Sequence, residues 1–380
     1  MALVLNEDQQ LLKQTAGDFV KKESPVTRIR EIRDGEDEIG FSRDLWGRMA
    51  ELGWQAILIP EEYGGLGLGY QEFACVLEEC GRKLVPEPLL STVLLGANAI
   101  VLGGSEAQKS ELLPKVADGS LLMTLAYQEH GSRYTTSKVA TRAERAGDGY
   151  RLSGEKILVL DGHVADKIVV SARTSGAQDD REGVSAFLID RDAPGVEIVR
   201  QATMHLRNSA IVRLVEVEVG ADALVGAEGA AVELLDAVID RATVGISAEM
   251  IGASLEAFEI TLEYLKTRKQ FGVLIGTFQA LKHRAAEMFV ELELGRSAIA
   301  GAVEALDSGA DAASALVSVA KARVSDLSVL VGYEAVQMHG GIGMTDEHDI
   351  GFYLKRARGF ELTFGDSAFH RARFAQIQGY

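Results

Sequence analysis

The spacing of apolar residues changes twice along this chain, and this change constrains the fold more than any single motif does. Up to about residue 118, segments such as DQQLLKQTAGDFVKK place apolar residues three and four positions apart, which is typical of helices. From about Leu121, short β-rich runs alternate with Gly, Asp and Ser turns, and from about Gly226 the helical spacing returns in three long segments. Helices, strands and helices thus follow one another in separate blocks, which excludes an alternating βαβ fold.

This order predicts a multidomain α+β protein. We expect an N-terminal helical domain over residues 1–118, a middle antiparallel β barrel or sandwich over 119–225, and a C-terminal four-helix bundle over 226–380. The uncharged run from Pro88 to Ser105 is near the length of a membrane span, but polar residues interrupt it. A buried helix explains this run more simply, so we expect no membrane-spanning segment.

Charge and cysteine content restrict the partners and the compartment. The chain has 39 Lys and Arg against 56 Asp and Glu, a net charge of −17, so we expect no nucleic-acid partner, which would need a basic surface. Cys75 and Cys80 fit reduced thiols, and the N-terminus lacks the pattern of a secretory signal, so we expect a cytoplasmic protein. The His and Cys spacings match no common zinc site, and no metal is expected.

Four sequence blocks combine unusual residue types at fixed spacing, and through them the chain resembles the acyl-CoA dehydrogenase family. The blocks are PEEYGGLGLG at Pro60–Gly69, GYRLSGEKILVLDG at Gly149–Gly162, RKQFGVLIGTFQ at Arg268–Gln279 and QMHGGIGMTDEH at Gln337–His348. Members of this family are flavoenzymes with an N-terminal helical domain, a middle β domain and a C-terminal four-helix bundle. The resemblance therefore implies the same layer order, with FAD as the cofactor.

The third and fourth blocks contain residues that suit a dinucleotide. Arg268 at a helix end can pair with a phosphate, Phe271 can pack on an aromatic ring system, and Gln279 at the next helix start can hydrogen-bond a ligand. The same three residues could instead neutralise a helix end, fill a core and face solvent. The resemblance implies that they approach FAD held mainly by a neighbouring subunit. It also implies cofactor contacts from Gln337, Gly340, Gly341 and Gln128, and the two glycines would let backbone approach the ligand closely.

The residue that would act as the base is the main departure from the family. In the family, a carboxylate takes the α proton of an acyl thioester while the Cβ hydride goes to the flavin. The resemblance puts Phe364 and Ala242 at the two usual positions of this carboxylate, and neither can accept a proton. Asp240 could substitute if its helix started in a shifted register, and Asp366 or Glu249 could substitute from nearby. The alternatives are a helix-start charge for Asp240, a turn or cap for Asp366, and a buried partner of Arg or Lys for Glu249.

The middle domain also departs from the family pattern. Where members carry Trp-Ile-Thr over the flavin, this chain has Leu158, Val159 and Leu160. Together with the ending LTFGDS, these changes resemble the small or β subunits of heteromeric acyl-CoA dehydrogenases, including the small subunit of pimeloyl-CoA dehydrogenase and subunits acting on steroid side chains.

The resemblance implies three candidate functions. The first is FAD-dependent α,β-dehydrogenation of an acyl-CoA, by the chain alone or within a mixed oligomer. The second is a non-catalytic subunit that completes the flavin site of an active partner, and the third is a flavin oxidase or monooxygenase of the same fold. The implied partners are an acyl-CoA substrate, an electron-transfer flavoprotein as acceptor, and either further copies in a dimer or tetramer or a second acyl-CoA dehydrogenase subunit in a heterotetramer.

Overall fold

A computed structural model describes residues 5–35 and 37–380, which form two compact units. The helical unit comprises residues up to Glu31, Tyr70–Val85 and Thr243–Tyr380, and the sheet unit comprises Ile32–Gly69 and Pro86–Ala242. Each unit thus combines segments that are distant in sequence.

The sheet unit contains an eight-stranded sheet, as the alternating β-rich runs predict. Its strands are β1 (Met123–Ala126), β2 (Arg142–Ala146), β3 (Gly149–Leu160), β4 (Lys167–Arg173), β5 (Val184–Asp190), β6 (Val196–Gln201), β7 (Ser209–Val219) and β8 (Leu224–Val225). Their order is β6-β7-β3-β2-β4-β5-β8, and β1 pairs with β4. Most pairs are antiparallel, as predicted, but β4 lies parallel to both β1 and β2. Apolar side chains of β3, β4, β5 and β7 contribute to one buried core, in which Leu152, Val170, Phe187 and Val212 are fully buried.

Shorter helices precede the sheet. They are α1 (Glu7–Glu23), α2 (Thr27–Asp34), α3 (Arg43–Glu51), α4 (Tyr70–Arg82), α5 (Asn98–Gly103) and α6 (Glu106–Ala117). The uncharged run near residue 90 is a buried π-helix, Leu90–Ala97, that continues into α5, which confirms the prediction of a buried helix. The helix α6 begins with a capping box, in which Ser105 and Gln108 satisfy each other's backbone N–H groups.

The long helices follow the helical spacing of the last third of the sequence. They are α7 (Ala231–Thr267), α8 (Gln279–Asp307), α9 (Ala313–His339), α10 (Ile350–Leu362) and α11 (Ser367–Ile377). Within the helical unit, α4 and α7 approach so closely that a Cβ on Gly81 would lie 2.0 Å from the Glu249 carbonyl oxygen. A Cβ on Gly252 would lie 1.8 Å from the Glu78 carbonyl oxygen. Only glycine fits at both points of this crossing.

Candidate functional site

The corner between α7 and α8, residues 268–279, contains three of the predicted cofactor residues. Arg268 follows the last residue of α7 and is exposed; its N–H donates to the Tyr264 carbonyl oxygen at 2.9 Å. Its own carbonyl oxygen accepts from the N–H of Ile275, also at 2.9 Å. These two bonds fix the backbone of Arg268 while its guanidinium faces solvent, where it can pair with a phosphate.

A two-residue hairpin projects from this corner. Its strands, β9 (Lys269–Gln270) and β10 (Val273–Leu274), are joined by Phe271 at φ 54° and Gly272 at φ 79°. Two positive φ angles define a type I′ turn, in which a bulky residue at the first position is unfavourable by about 1–2 kcal/mol. The Phe271 side chain is nevertheless 89% exposed. A strained and exposed aromatic ring is suited to contact with another molecule.

The start of α8 lies beside this hairpin. The first helical residue is Gln279, and its N-cap is Phe278, whose side chain makes no capping hydrogen bond. An uncapped helix start leaves N–H groups and the positive end of the helix dipole available to an anion. Together with Arg268, this helix start offers the charge and the donors that a pyrophosphate needs.

The fourth sequence block contacts the last turn of α7 through an aromatic ring pair. His339, the last residue of α9, stacks on Tyr264 with ring centroids 4.5 Å apart and an interplanar angle of 29°. Beyond it lie Gly340, at φ 63°, and Gly341, and a Cβ on either glycine would meet no atom within 4 Å. The ring contact thus joins the end of α9, which carries the exposed Gln337 and precedes Gly340 and Gly341, to Tyr264, four residues before Arg268. Residue spacing alone does not predict the Tyr264–His339 contact.

Gln128 lies in the sheet unit, just after β1. Its carbonyl oxygen accepts from the N–H of Ile157 at 2.9 Å. The next residue, Glu129, accepts from Nζ of Lys156 at 2.6 Å, and that Nζ also donates to Ser171 at 2.9 Å. Burial opposes ionisation, yet Lys156 and the hydrogen bonds hold the pKa of Glu129 below its ordinary value; burial lowers the pKa of Lys156 to about 8. This buried pair fixes the backbone on which Gln128 sits.

Leu158 stands where the family pattern has a Trp over the flavin. It lies at a bulge of β3 with φ 53° and is 52% exposed, whereas its neighbour Val159 is buried. A leucine at this exposed position cannot stack on a flat ring as an indole would.

The turn between α10 and α11, residues 363–366, carries Phe364. Its backbone has φ 61°, and Gly365 follows at φ 120°. The Phe364 side chain is only 5% exposed, and its carbonyl oxygen accepts from Nε2 of the buried His370 at 3.1 Å. Burial, with Lys321 and Arg373 nearby, lowers the pKa of His370 to about 3. The neutral imidazole is therefore the form that holds this turn.

Lys321 on α9 fixes the same turn from the other side and was not singled out by sequence reasoning. Its side chain is fully buried, and Nζ donates to the carbonyl oxygens of Phe360 at 3.0 Å, Glu361 at 2.9 Å and Gly365 at 2.9 Å. Burial lowers the pKa of Lys321 to about 7. Such a lysine satisfies carbonyl groups at a helix C-terminus that would otherwise lack donors.

Two of the three candidate carboxylates have structural roles. Glu249 pairs with Arg356 at 3.0 Å, with side-chain exposures of 1% and 2%, and Arg356 also donates to the Leu84 carbonyl oxygen. Asp366 is the N-cap of α11 and accepts from the N–H of Phe369 at 2.8 Å. These are the structural alternatives that the sequence left open for both residues.

Asp240 lies inside α7 and in the sheet unit. The helix begins at Ala231 and runs unbroken past Asp240 and Ala242, so neither the shifted helix start nor the helix-start charge is correct. The Asp240 side chain is 5% exposed. The helical spacing that returns from about Gly226 agrees with this early start of α7 and with the position of Asp240 inside it.

Neither a membrane-spanning helix nor a metal-ligand cluster occurs in the part of the chain that the structure describes. Within residues 5–35 and 37–380, no helix combines the length and the apolar character that crossing a bilayer requires. In the same residues, no three His, Cys, Asp or Glu side chains form a group that could hold a metal ion.

Comparison with known proteins identifies the family. Models of the acyl-CoA dehydrogenase N-terminal, middle and C-terminal domains match residues 6–120, 123–216 and 232–378. The chain therefore belongs to the acyl-CoA dehydrogenase family, as the four sequence blocks predict. Members are FAD-binding flavoproteins and oxidoreductases acting on CH–CH groups, which confirms the predicted cofactor and reaction class.

Relatives and solved structures cover the whole chain. The probable acyl-CoA dehydrogenase YngJ of Bacillus subtilis is 30% identical over 381 residues, which cover 99% of each chain. The Tcur3481-Tcur3483 steroid ACAD is 30% identical with a TM-score of 0.87, covering 98% of each chain. The ChsE4-ChsE5 complex of Mycobacterium tuberculosis is 27% identical with a TM-score of 0.89, covering 100% of this chain and 99% of that one.

The residues of the α7–α8 corner fit an FAD dinucleotide. The exposed Arg268 and the uncapped start of α8 offer a positive charge and N–H donors of the kind that a pyrophosphate binds. The open glycine backbone after α9 leaves room for a ligand to approach closely. Phe271 offers an exposed aromatic surface. The roles of these individual residues remain the predictions made from the sequence.

Proposed function

We propose that this chain takes part in FAD-dependent α,β-dehydrogenation of an acyl-CoA within a mixed assembly, in which a second acyl-CoA dehydrogenase subunit supplies the proton-accepting carboxylate. The observation that carries the proposal is Phe364. It is buried in a turn whose carbonyl groups are held by Lys321 and His370, at the position where the family resemblance expects the base. A hydrocarbon ring fixed there can shape a pocket but cannot accept a proton.

The reaction removes a proton from Cα and a hydride from Cβ, leaving a Cα–Cβ double bond. FAD, when bound, supplies the acceptor for the hydride. In the proposed assembly, Arg268 and the first N–H groups of α8 bind the pyrophosphate of the dinucleotide, and Phe271 packs against it. The carboxylate of the partner takes the Cα proton, and donors around the thioester carbonyl make that proton more acidic.

Two further observations support a base outside this chain. Glu249 is the carboxylate that pairs with the buried Arg356 at 3.0 Å, and Asp366 caps the N–H of Phe369 at 2.8 Å. Both carboxylates thus have roles that compete with proton transfer. The similarity to the ChsE4-ChsE5 complex supports a mixed assembly. An electron-transfer flavoprotein is proposed as the electron acceptor because the family resemblance implies it.

The second candidate function is a dehydrogenase that needs no different subunit, in which Asp240 would be the base. Its carboxylate is 5% exposed and lies two residues before Ala242, the alternative base position of the family. Because α7 is regular there, the two side chains point about 160° apart around the helix axis. This angle favours the mixed assembly.

The visible flavin spectrum distinguishes these functions. The chain is purified alone and together with a co-expressed acyl-CoA dehydrogenase subunit, and each sample receives a panel of acyl-CoAs without oxygen. We expect bleaching only in the mixed sample, unaffected by Asp240→Asn in this chain. Bleaching by the chain alone that Asp240→Asn abolishes would overturn the proposal. Rapid reoxidation of the bleached flavin by oxygen would instead indicate an oxidase or monooxygenase.

A gain-of-function variant gives an independent test at Phe364. Phe364→Glu restores a carboxylate on the existing turn, and Phe364→Gln is the matched control of similar shape without an ionisable group. We expect acyl-CoA to bleach the flavin of the glutamate variant more than that of the glutamine variant. Equal bleaching by the two variants would mean that this turn does not face the substrate.

A further inference from the structure

We propose that His339 is a positioning residue for the dinucleotide, because its ring fixes the glycine turn after α9 against the α7–α8 corner. This proposal rests on the binding of FAD at that corner, which is part of the proposed function. His339 itself is 2% exposed and is not expected to touch the cofactor. Its effect is transmitted through the backbone segments on either side of the ring contact.

The His339 ring makes aromatic contacts with two other segments of the chain. The His339 ring contacts two other rings, those of Tyr264 at 4.5 Å and 29° and of His348 at 4.5 Å and 53°. Tyr264 comes from α7, His339 from α9, and His348 from the segment before α10. One buried imidazole on α9 therefore contacts two other segments, and the three together span more than eighty residues of the sequence.

The two rings of the Tyr264–His339 contact are attached to two different parts of the proposed cofactor site. The carbonyl oxygen of Tyr264 accepts the N–H of Arg268, so the tyrosine backbone and the start of the corner move together. His339 is bonded directly to Gly340, and Gly340 and Gly341 have no side chain to fix their own conformation. The Tyr264–His339 ring contact thus links the segment before the proposed phosphate-binding corner to the segment before the open glycine turn.

The hydrogen bonding of the His339 ring determines its protonation state. Nδ1 of His339 lies 2.7 Å from the Ala335 carbonyl oxygen, which can only accept, so Nδ1 carries a hydrogen. Nε2 is buried and has no hydrogen-bond partner among the residues that the structure describes. Burial lowers the pKa of His339; the Ala335 bond opposes this, and His348 adds to it. The neutral imidazole therefore has one hydrogen bond, to a carbonyl group of its own helix, and its contacts with α7 and with the segment before α10 are made by ring stacking.

The test measures FAD affinity of the cofactor-free full-length chain in the oligomer or complex that binds FAD, by quenching of flavin fluorescence. His339→Leu removes the ring, whereas His339→Phe keeps a ring without nitrogen atoms. We expect the leucine variant to bind FAD about tenfold more weakly and the phenylalanine variant to recover most of that loss. Phe289→Leu on the exposed face of α8 is the matched control, with unchanged FAD affinity.

A double-mutant cycle separates positioning from general loss of structure. If Tyr264 and His339 act as one unit, Tyr264→Leu and His339→Leu together weaken FAD binding no more than either does alone. Independent effects that multiply would overturn the proposal, as would an unchanged affinity in His339→Leu. If His339→Leu does not fold, Tyr264→Leu against Tyr264→Phe gives the same comparison from the half-buried partner. Failure of the wild type to bind FAD would instead contradict the proposed function.

Discussion

Phe271 and Phe364 have nearly the same strained backbone in opposite surroundings. Their φ angles are 54° and 61°, both in the left-handed region that disfavours bulky residues. Phe364 is 5% exposed, whereas Phe271 is 89% exposed. The turn at Phe364 is held from within by buried hydrogen bonds, but the hairpin at Phe271 holds its ring in solvent. Buried hydrogen bonds within the chain offset the backbone strain at Phe364. The ring of Phe271 is exposed, so we expect a contact with another molecule to offset the strain there.

The largest expected effect concerns the inner support of the Phe364 turn. Lys321→Met removes the Nζ donor from the carbonyl groups of Glu361 and Gly365 and leaves that of Phe360 with the N–H of Thr363, so we expect it to lower the free energy of unfolding by about 3 kcal/mol or more. Urea unfolding of the cofactor-free chain measures this change. Lys115→Met, at a half-exposed lysine of α6, is the control and should change stability by less than about 0.5 kcal/mol. A loss under about 1 kcal/mol for Lys321→Met would mean that the turn holds itself.

The next effect is a pH dependence at the same turn. The pKa of His370 is about 3 in the folded chain against an ordinary 6.5, so the unfolded chain binds more protons between these values. The stability contributed by His370 is therefore complete above pH 6.5 and is lost as pH falls towards 3, at up to about 1.4 kcal/mol per pH unit. His370→Gln, which cannot titrate, should flatten this part of the stability curve measured by urea unfolding. Parallel curves for the two proteins would contradict the assignment.

A smaller effect of opposite sign is expected at the exposed hairpin. Phe271→Gly relieves the left-handed backbone, so it should raise the stability of the cofactor-free chain by about 0.5–1 kcal/mol while weakening FAD binding. Phe271→Ala removes the ring but keeps a Cβ, and should weaken FAD binding without the gain in stability. Equal stability of the two variants in urea unfolding would show that this hairpin is not strained.

The smallest change in stability is expected at Arg268. Its side chain is exposed, so Arg268→Gln should alter the free energy of unfolding by less than about 0.5 kcal/mol. Loss of a charged hydrogen bond to a phosphate should nevertheless weaken FAD binding about tenfold. Arg296→Gln, on the same helical unit, is the control with unchanged affinity. If both arginine variants bind FAD alike, the pyrophosphate does not lie at Arg268.

The helices were predictable from sequence because their signal is local. The three- and four-residue spacing of apolar positions gave α7, α8 and α9, and the block RKQFGVLIGTFQ gave the corner between two of them. The parallel pairing of β4 with β1 and β2 was not predictable, because alternation along a strand assigns its faces and not its neighbours.

Contacts between distant residues account for most of what sequence reasoning missed at the site. Lys321 reads as an ordinary charged position on a helix, and its partners at 360–365 lie about forty residues away. The same holds for Glu249 and Arg356, which are 107 residues apart, although a buried pairing was one stated alternative. Periodicity can indicate that a polar residue is buried, but it does not identify the group that satisfies it.

The support of the Phe364 turn has a consequence for how such chains diverge. Lys321 and His370 reach it through backbone oxygen atoms, which every amino acid provides. The side chain at position 364 can therefore be exchanged while these hydrogen bonds persist. After gene duplication, a change at one codon is enough to remove or restore a carboxylate in one copy without dismantling its fold, so two copies can divide a single enzyme's work between them.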